Sequence, residues 1–131
     1  MTQERYPPFS VVAQVALCEI LTGHLDEAST FIARLDNDFG NLKRDERTGL
    51  HCRLEIAKDR FAECLRLTDR FINKESRYYK LIRHDALSGE LVGAQLDQNT
   101  REHYQEEFNA LAVTLGDDLR FDIPELDKGR F

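Results

Sequence analysis

Residues 17–37 read LCEILTGHLDEASTFIARLDN and residues 53–73 read RLEIAKDRFAECLRLTDRFIN, and the second stretch echoes the first at a step of 36 positions. Glu19 meets Glu55, Ile20 meets Ile56, Glu27 meets Glu63, Arg34 meets Arg70 and Asn37 meets Asn73. Small residues coincide (Ala16 with Cys52, Ala28 with Cys64) and so do bulky ones (Leu25 with Phe61, Leu35 with Phe71). Self-similarity at a fixed period of this size marks stacked units of supersecondary structure. Two antiparallel helices approach closest where both carry small side chains, while bulky residues further along fill the space between units. Ala16 is therefore expected to face Ala28, and Cys52 to face Cys64, buried and unbonded.

Outward from this core, each copy resolves into a helical hairpin. Pro7 and Pro8 precede a helix expected over residues 10–22, and Gly23 ends it. Leu25, Ala28, Ile32 and Leu35 recur at the spacing of an amphipathic helix, with Asp26 and Glu27 suited to its first turn. Asn37 to Asn41, with Gly40, reads as a connector. Leu50, Leu54 and Ala57 mark a third helix, and Phe61, Cys64, Leu65, Thr68, Phe71 and Ile72 a fourth. A fifth is expected over residues 76–94, and a sixth, capped by Asp97 or Asn99 and stopped by Gly116, carries Tyr104, Phe108, Leu111, Ala112 and Leu115. A further step of 36 takes Ala16 and Cys52 to Ser88, and Ile20 and Ile56 to Val92. Asp97 then falls where Leu25 and Phe61 stood, so the third hairpin is expected to turn differently. The sequence thus predicts an all-α fold of about six helices in three antiparallel hairpins. One domain spans residues 1–115, followed by an acidic tail at 116–131 in which Phe121, Ile123 and Leu126 are expected to dock.

Composition agrees with one folded core. The chain has 131 residues, too few for two independent cores, with 41% apolar and 32% charged side chains and only three prolines. Cys18, Cys52 and Cys64 are odd in number and form no CxxC pair, which speaks against a disulfide framework or zinc knuckle and for a reducing cytoplasm. Met1 to Phe9 lacks the charged-then-apolar layout of a signal peptide. The most apolar run, VVAQVALCEIL at 11–21, is far shorter than a membrane span. Net charge is −6, against general nucleic-acid binding, but it is unevenly placed. Residues 1–42 hold two basic and six acidic groups, 43–84 twelve and seven, and 85–131 four and eleven.

The hairpins resemble the tetratricopeptide (TPR) family, whose unit is a helix pair of about 34 residues. The family's small residue, turn, and acidic-small pair in the second helix are matched by Ala16, Gly23 and Glu27-Ala28, and by Cys52, Asp59 and Glu63-Cys64. The likeness covers residues 10–73. Departures are Glu19 and Glu55 where an aromatic is expected, no proline closing either unit, and the period of 36. The resemblance implies an inner groove lined by Ala13, Leu17, Ile20 and Leu21 from the first helix and by Gly49, Arg53, Ile56 and Ala57 from the third. The family's clamp for a terminal carboxylate needs Lys and Asn in that groove, and these positions do not supply them.

No catalytic, cofactor-binding or metal-binding residue is assigned. His51, Cys52 and Glu55 share a helix turn, but 51 and 52 point in different directions, whereas metal sites want donors three or four residues apart. There is no Glu-x-x-His pair and no HExxH motif. His24, His84 and His103 have no serine or cysteine set beside them as a nucleophile. Gly89 and Gly93 are spaced for close helix packing, since no strand precedes them to make a phosphate loop. Lys74, Arg77, Lys80, Arg83 and His84 form a basic stripe, read as a solvated face or a docking face for acidic groups.

The expectation is therefore a non-enzymatic, cytoplasmic adaptor or small assembly chaperone that grips a protein segment in an apolar groove, with Leu17, Ile20, Leu21, Arg53 and Ile56 as partner-binding residues. The all-round apolarity of residues 11–21 motivates it, because such a helix needs cover beyond its hairpin partner. The alternative is a regulatory or structural subunit that self-associates and has no free groove; an enzyme with a spatially assembled site is the third class.

Overall fold

The computed structural model describes residues 8–40, 42–93 and 95–122, the side chains of 117–122 excepted. Among the described residues there are six helices and no strand: α1 (Phe9–Leu21), α2 (Leu25–Phe39), α3 (Arg44–Ala57), α4 (Phe61–Thr68), α5 (Arg77–Gly93) and α6 (Gln98–Asp122). Consecutive helices pack as antiparallel pairs, and α1, α3 and α5 also lie side by side, with α3 touching both. The all-α hairpin architecture is as expected.

The repeat is written into the backbone of the first two turns. At the end of α1, His24 N–H donates to Glu19 O at 2.8 Å and Gly23 N–H to Ile20 O at 3.1 Å, with Gly23 at φ +86. Thirty-six residues later, Arg60 N–H donates to Glu55 O at 2.8 Å and Asp59 N–H to Ile56 O at 2.9 Å, with Asp59 at φ +62. Both are Schellman motifs, in which a left-handed residue lets the last carbonyls of the helix be satisfied. The side chains repeat too: Glu19 reaches His24 at 2.7 Å, and Glu55 reaches Arg60 at 3.1 Å.

The small pairs are where the helices meet. Ala16, Ala28, Cys52 and Cys64 are all fully buried, and the Cys52 thiol lies 3.9 Å from the Cys64 carbonyl with all three cysteines free. Around Ala16 and Ala28, Val12, Ile20, Ile32 and Leu35 join Leu50 and Leu54 of α3; around the cysteines, Leu65, Leu67 and Phe71 join Ile82, Ala86 and Leu87 of α5. Each large apolar side chain so buried contributes about 1.5–3 kcal/mol. Because α3 supplies residues to both clusters, it is the helix on which the fold turns.

Three boundaries differ from expectation, each for a physical reason. α2 runs on to Phe39, through residues read as a connector, because Phe39 packs edge-on against Phe9 at 5.1 Å between ring centroids. α4 stops at Thr68, leaving Phe71 and Ile72 outside it, because the Asp45 carboxylate accepts from Ile72 N–H at 2.7 Å and Asn73 N–H at 3.0 Å. α6 continues through Gly116 to Asp122, so Gly116 does not stop it and the helix crosses the boundary expected at residue 115. A lone glycine costs a helix only about 1 kcal/mol relative to alanine. The docking expected of Phe121, Ile123 and Leu126 falls on side chains outside the described residues, as does residue 1–7 at the other end.

The third hairpin departs from the repeat, as expected. Its turn is built differently, with Asp97 capping α6 by accepting from Thr100 N–H at 2.7 Å, a bond that holds the Asp97 carboxyl below its usual range. The buried small residue of α5 is Ala86 rather than Ser88, and Val92 is 86% exposed where Ile20 is core. Gly89 does serve close packing, since a Cβ there would meet the Phe61 ring at 2.4 Å, whereas Gly93 faces open space.

Candidate functional site: a groove across α1, α3 and α5

Leu17, Ile20, Leu21, Arg53 and Ile56, read from two helices 36 residues apart, surround one concavity of about 240 Å3, together with Ala57 and Asp85. The helical spacing explains the convergence. Residues 17, 20 and 21 lie on one face of α1, residues 53, 56 and 57 on one face of α3, and the two faces meet because the helices run side by side. Ile20 is the floor and is nearly closed off, at 7% exposure, so it belongs to the core as much as to the groove. Leu17 and Ile56 are half-buried walls, and Leu21 stands at the rim, 74% exposed.

The groove continues past Leu17 into a second hollow of about 320 Å3, where Phe9, Ala13, Leu50 and Tyr78 form apolar walls and Lys43 and Glu46 stand at the edge. Arg53 links the two, its guanidinium 5.5 Å from the centroid of the Tyr78 ring. A cation held over an aromatic face keeps its charge available while its stem covers apolar surface. Burial pushes the Tyr78 phenol above its ordinary value, and the neighbouring Arg53 works in the opposite direction.

Of the eight positions assigned to the groove, seven line it. The exception is Gly49, which is covered by Tyr78: a Cβ there would lie 2.2 Å from the ring. Gly49 is a close-approach site rather than a lining residue. Asp85 and Tyr78 of α5 complete the groove and were not among the expected residues. Asp85 had a signal in the sequence, since it lies one further step of 36 beyond Ala13 and Gly49. Tyr78 had none, because its place depends on how α5 packs across α3.

The other candidates are absorbed by the fold. Arg83 of the basic stripe donates to Glu107 at 2.5 and 3.0 Å, to Thr68 at 2.8 Å and to the Leu65 carbonyl at 3.3 Å, tying α4, α5 and α6 together. Burial works against its charge, and Glu107 more than compensates, so its pKa rises. His84 stacks on Phe108 at 4.5 Å and Lys80 reaches Glu75 at 3.7 Å. Lys80, Arg83 and His84 of the stripe are thus part-buried, while Lys74 and Arg77 stay exposed. Cys64, hydrogen-bonded to Cys52 and buried, has its thiol pushed well up, which makes it inert as a nucleophile. Among the described residues no group of three or more His, Cys, Asp or Glu is placed to hold a metal ion. No helix among them is long and apolar enough to cross a membrane.

No protein-family model matches this chain, and neither a curated protein nor a solved structure does.

Proposed function

We propose that the chain is a TPR-like protein-interaction module, an adaptor or small assembly chaperone without catalytic activity, working in a reducing cytoplasm. It holds a segment of a protein partner in the groove of α1, α3 and α5. The observation that carries this reading is the convergence of Leu17, Leu21, Ile56 and Arg53 on one open concavity, with Leu21 74% exposed. The occupant that fits is a peptide with two or more apolar side chains, for Leu21 and Ile56 and for the hollow beside Tyr78. A carboxylate or carbonyl between them meets Arg53, and Asp85 accepts from a peptide N–H or a basic side chain. Two buried apolar side chains supply about 1.5–3 kcal/mol each before the cost of ordering the peptide. The cysteines favour the reducing compartment, since Cys52 and Cys64 pack together unbonded.

A random-peptide display selection on the immobilised protein tests this. Enriched sequences are expected to place an acidic residue between apolar ones and to lose binding to Arg53→Glu. Enrichment of no common pattern, or of one indifferent to Arg53, contradicts the reading.

A second reading is supported by α1 itself. Val11, Val15 and Cys18 are exposed at helical spacing on a face turned away from the groove, as a self-associating structural subunit would have. Light scattering over a concentration series separates the two: a dimer that Val15→Asp returns to monomer favours the subunit.

A further inference from the structure

The face of α3 turned away from the groove carries a second, chemically different concavity. Successive helical residues are rotated by about 100°, so Arg44, Arg47, Thr48 and His51 lie together opposite Gly49, Arg53 and Ile56. With Asp36 and Gly40 from the end of α2 and Arg70 beyond α4, they line a polar hollow of about 320 Å3.

The arrangement inside it is graded. Asp36 spends both carboxylate oxygens inward, accepting from Arg47 Nη1 at 2.9 Å and meeting His51 Nε2 at 2.6 Å. Arg47 is further fixed by donating from Nε to the Leu42 carbonyl at 2.8 Å. Arg44 and Arg70 have no ion pair or side-chain hydrogen bond among the described residues, and the Thr48 hydroxyl has no hydrogen bond among them. Three guanidinium groups against one carboxylate leave the hollow formally +2 with His51 neutral, on a chain whose net charge is −6. The acidic residues of the first turn of α3 do not line it: Asp45 is turned to the amides of Ile72 and Asn73, and Glu46 lies at the edge of the groove.

We propose that this hollow binds a phosphate group, as the free ion or as a monoester, with Arg44 and Arg70 closing on its oxygens and Thr48 donating from the floor. Guanidinium forks match the oxygens of phosphate in pairs, and two of the three here, the exposed Arg44 and Arg70, have no side-chain hydrogen bond among the described residues that a ligand would have to displace. Asp36 orients Arg47 and His51 but repels any anion, so the preference for phosphate over a singly charged carboxylate rests on the guanidinium groups, whose attraction grows with the charge of the ligand. The acidic remainder of the surface opposes a long polyanion, so the ligand is compact: inorganic phosphate or a phosphorylated side chain.

The test uses the full chain, with thermal melts and calorimetric titrations of inorganic phosphate, phosphoserine and acetate against sodium chloride at matched ionic strength. Inorganic phosphate and phosphoserine are expected to raise the melting temperature and titrate saturably, and acetate to do neither. Phosphoserine binding as well as phosphate assigns the site to phosphorylated side chains, and phosphate alone assigns it to the free ion; both support the hollow. The pair Arg44→Gln with Arg70→Gln leaves the Arg47–Asp36 contact intact, so its melt in chloride is expected to match wild type while phosphate affinity falls about tenfold or more. Equal shifts with phosphate, acetate and chloride, or undiminished phosphate binding in the double variant, overturn the proposal.

Discussion

The first and second hairpins share one turn but close their open ends by different chemistry. Both turns place a left-handed residue at the same position, Gly23 or Asp59, and bury a small pair beneath it, Ala16 with Ala28 or Cys52 with Cys64. At the far end the equivalent residues are Phe9 and Asp45. Phe9 packs edge-on against Phe39 and α2 reaches fifteen residues; Asp45 captures the amides of Ile72 and Asn73, and α4 ends after eight. The turn obeys nearest-neighbour rules that any copy of the unit must satisfy, whereas the open end answers to whatever lies beyond it. The groove lies on the boundary between these regimes, with Leu17 in one copy replaced by Arg53 in the next.

The sharpest way to break the comparison is at Ala13 and Gly49, equivalent positions on α1 and α3. Gly49→Ala drives a methyl into the Tyr78 ring and is expected to cost up to about 3 kcal/mol, as overpacking does. Ala13→Gly loses only helix propensity, about 1 kcal/mol. Urea denaturation of the two variants measures both, and equal costs would mean that Tyr78 does not hold α5 against α3. Next in size is Arg83→Met, which removes the polar tie between α5 and α6. It is expected to cost about 2 kcal/mol, since hydrogen bonds to a charged, partly shielded group are lost. A Glu107→Gln background should shrink that loss, and a double-mutant cycle reads the coupling.

The open ends give smaller effects. Asp45→Ala frees the amides of Ile72 and Asn73 and is expected to cost about 1 kcal/mol, with faster hydrogen exchange confined to residues 68–76. Smallest is the exchange that makes the turns alike. Asp59→Gly removes the strain of a left-handed aspartate and is expected to stabilise by about 0.5–1 kcal/mol, while Gly23→Asp loses a similar amount. A destabilised Asp59→Gly protein would show that the turn depends on the aspartate side chain rather than on φ.

What was legible in the sequence follows the same division. The groove positions, seven of which line the concavities, followed from the tetratricopeptide resemblance, whereas the helix end at Gly23 and the four buried small residues were readable from helical period and a step of 36. What α5 does was not: the same step that finds Asp85 in the groove puts Ser88 where Ala86 is the small core residue and Val92 at an exposed site. Gly116 read as a stop because a glycine ends a helix only when a turn follows, and α6 runs on. The basic hollow is not legible in the sequence because Asp36, Arg47 and Arg70 are brought together by the closing of two units, not by spacing within one. Arg83 read as surface charge because its partner, Glu107, lies 24 residues away on another hairpin.

The central claim is that the face of α1 and α3 bearing Leu17, Leu21, Ile56 and Arg53 is a docking groove, separable from the core beneath it. The direct measurement is the affinity of a display-selected peptide, by calorimetry, for wild type, Leu21→Asp and Val113→Asp, with a thermal melt of each. Leu21 and Val113 are both largely exposed, at 74% and 82%, so both variants are expected to melt within about 0.5 kcal/mol of wild type. Leu21→Asp is expected to weaken the peptide by about tenfold or more, as burying a charge against apolar side chains requires, and Val113→Asp to leave it unchanged. Equal affinity for all three proteins, or a Leu21→Asp protein that unfolds, would contradict the account.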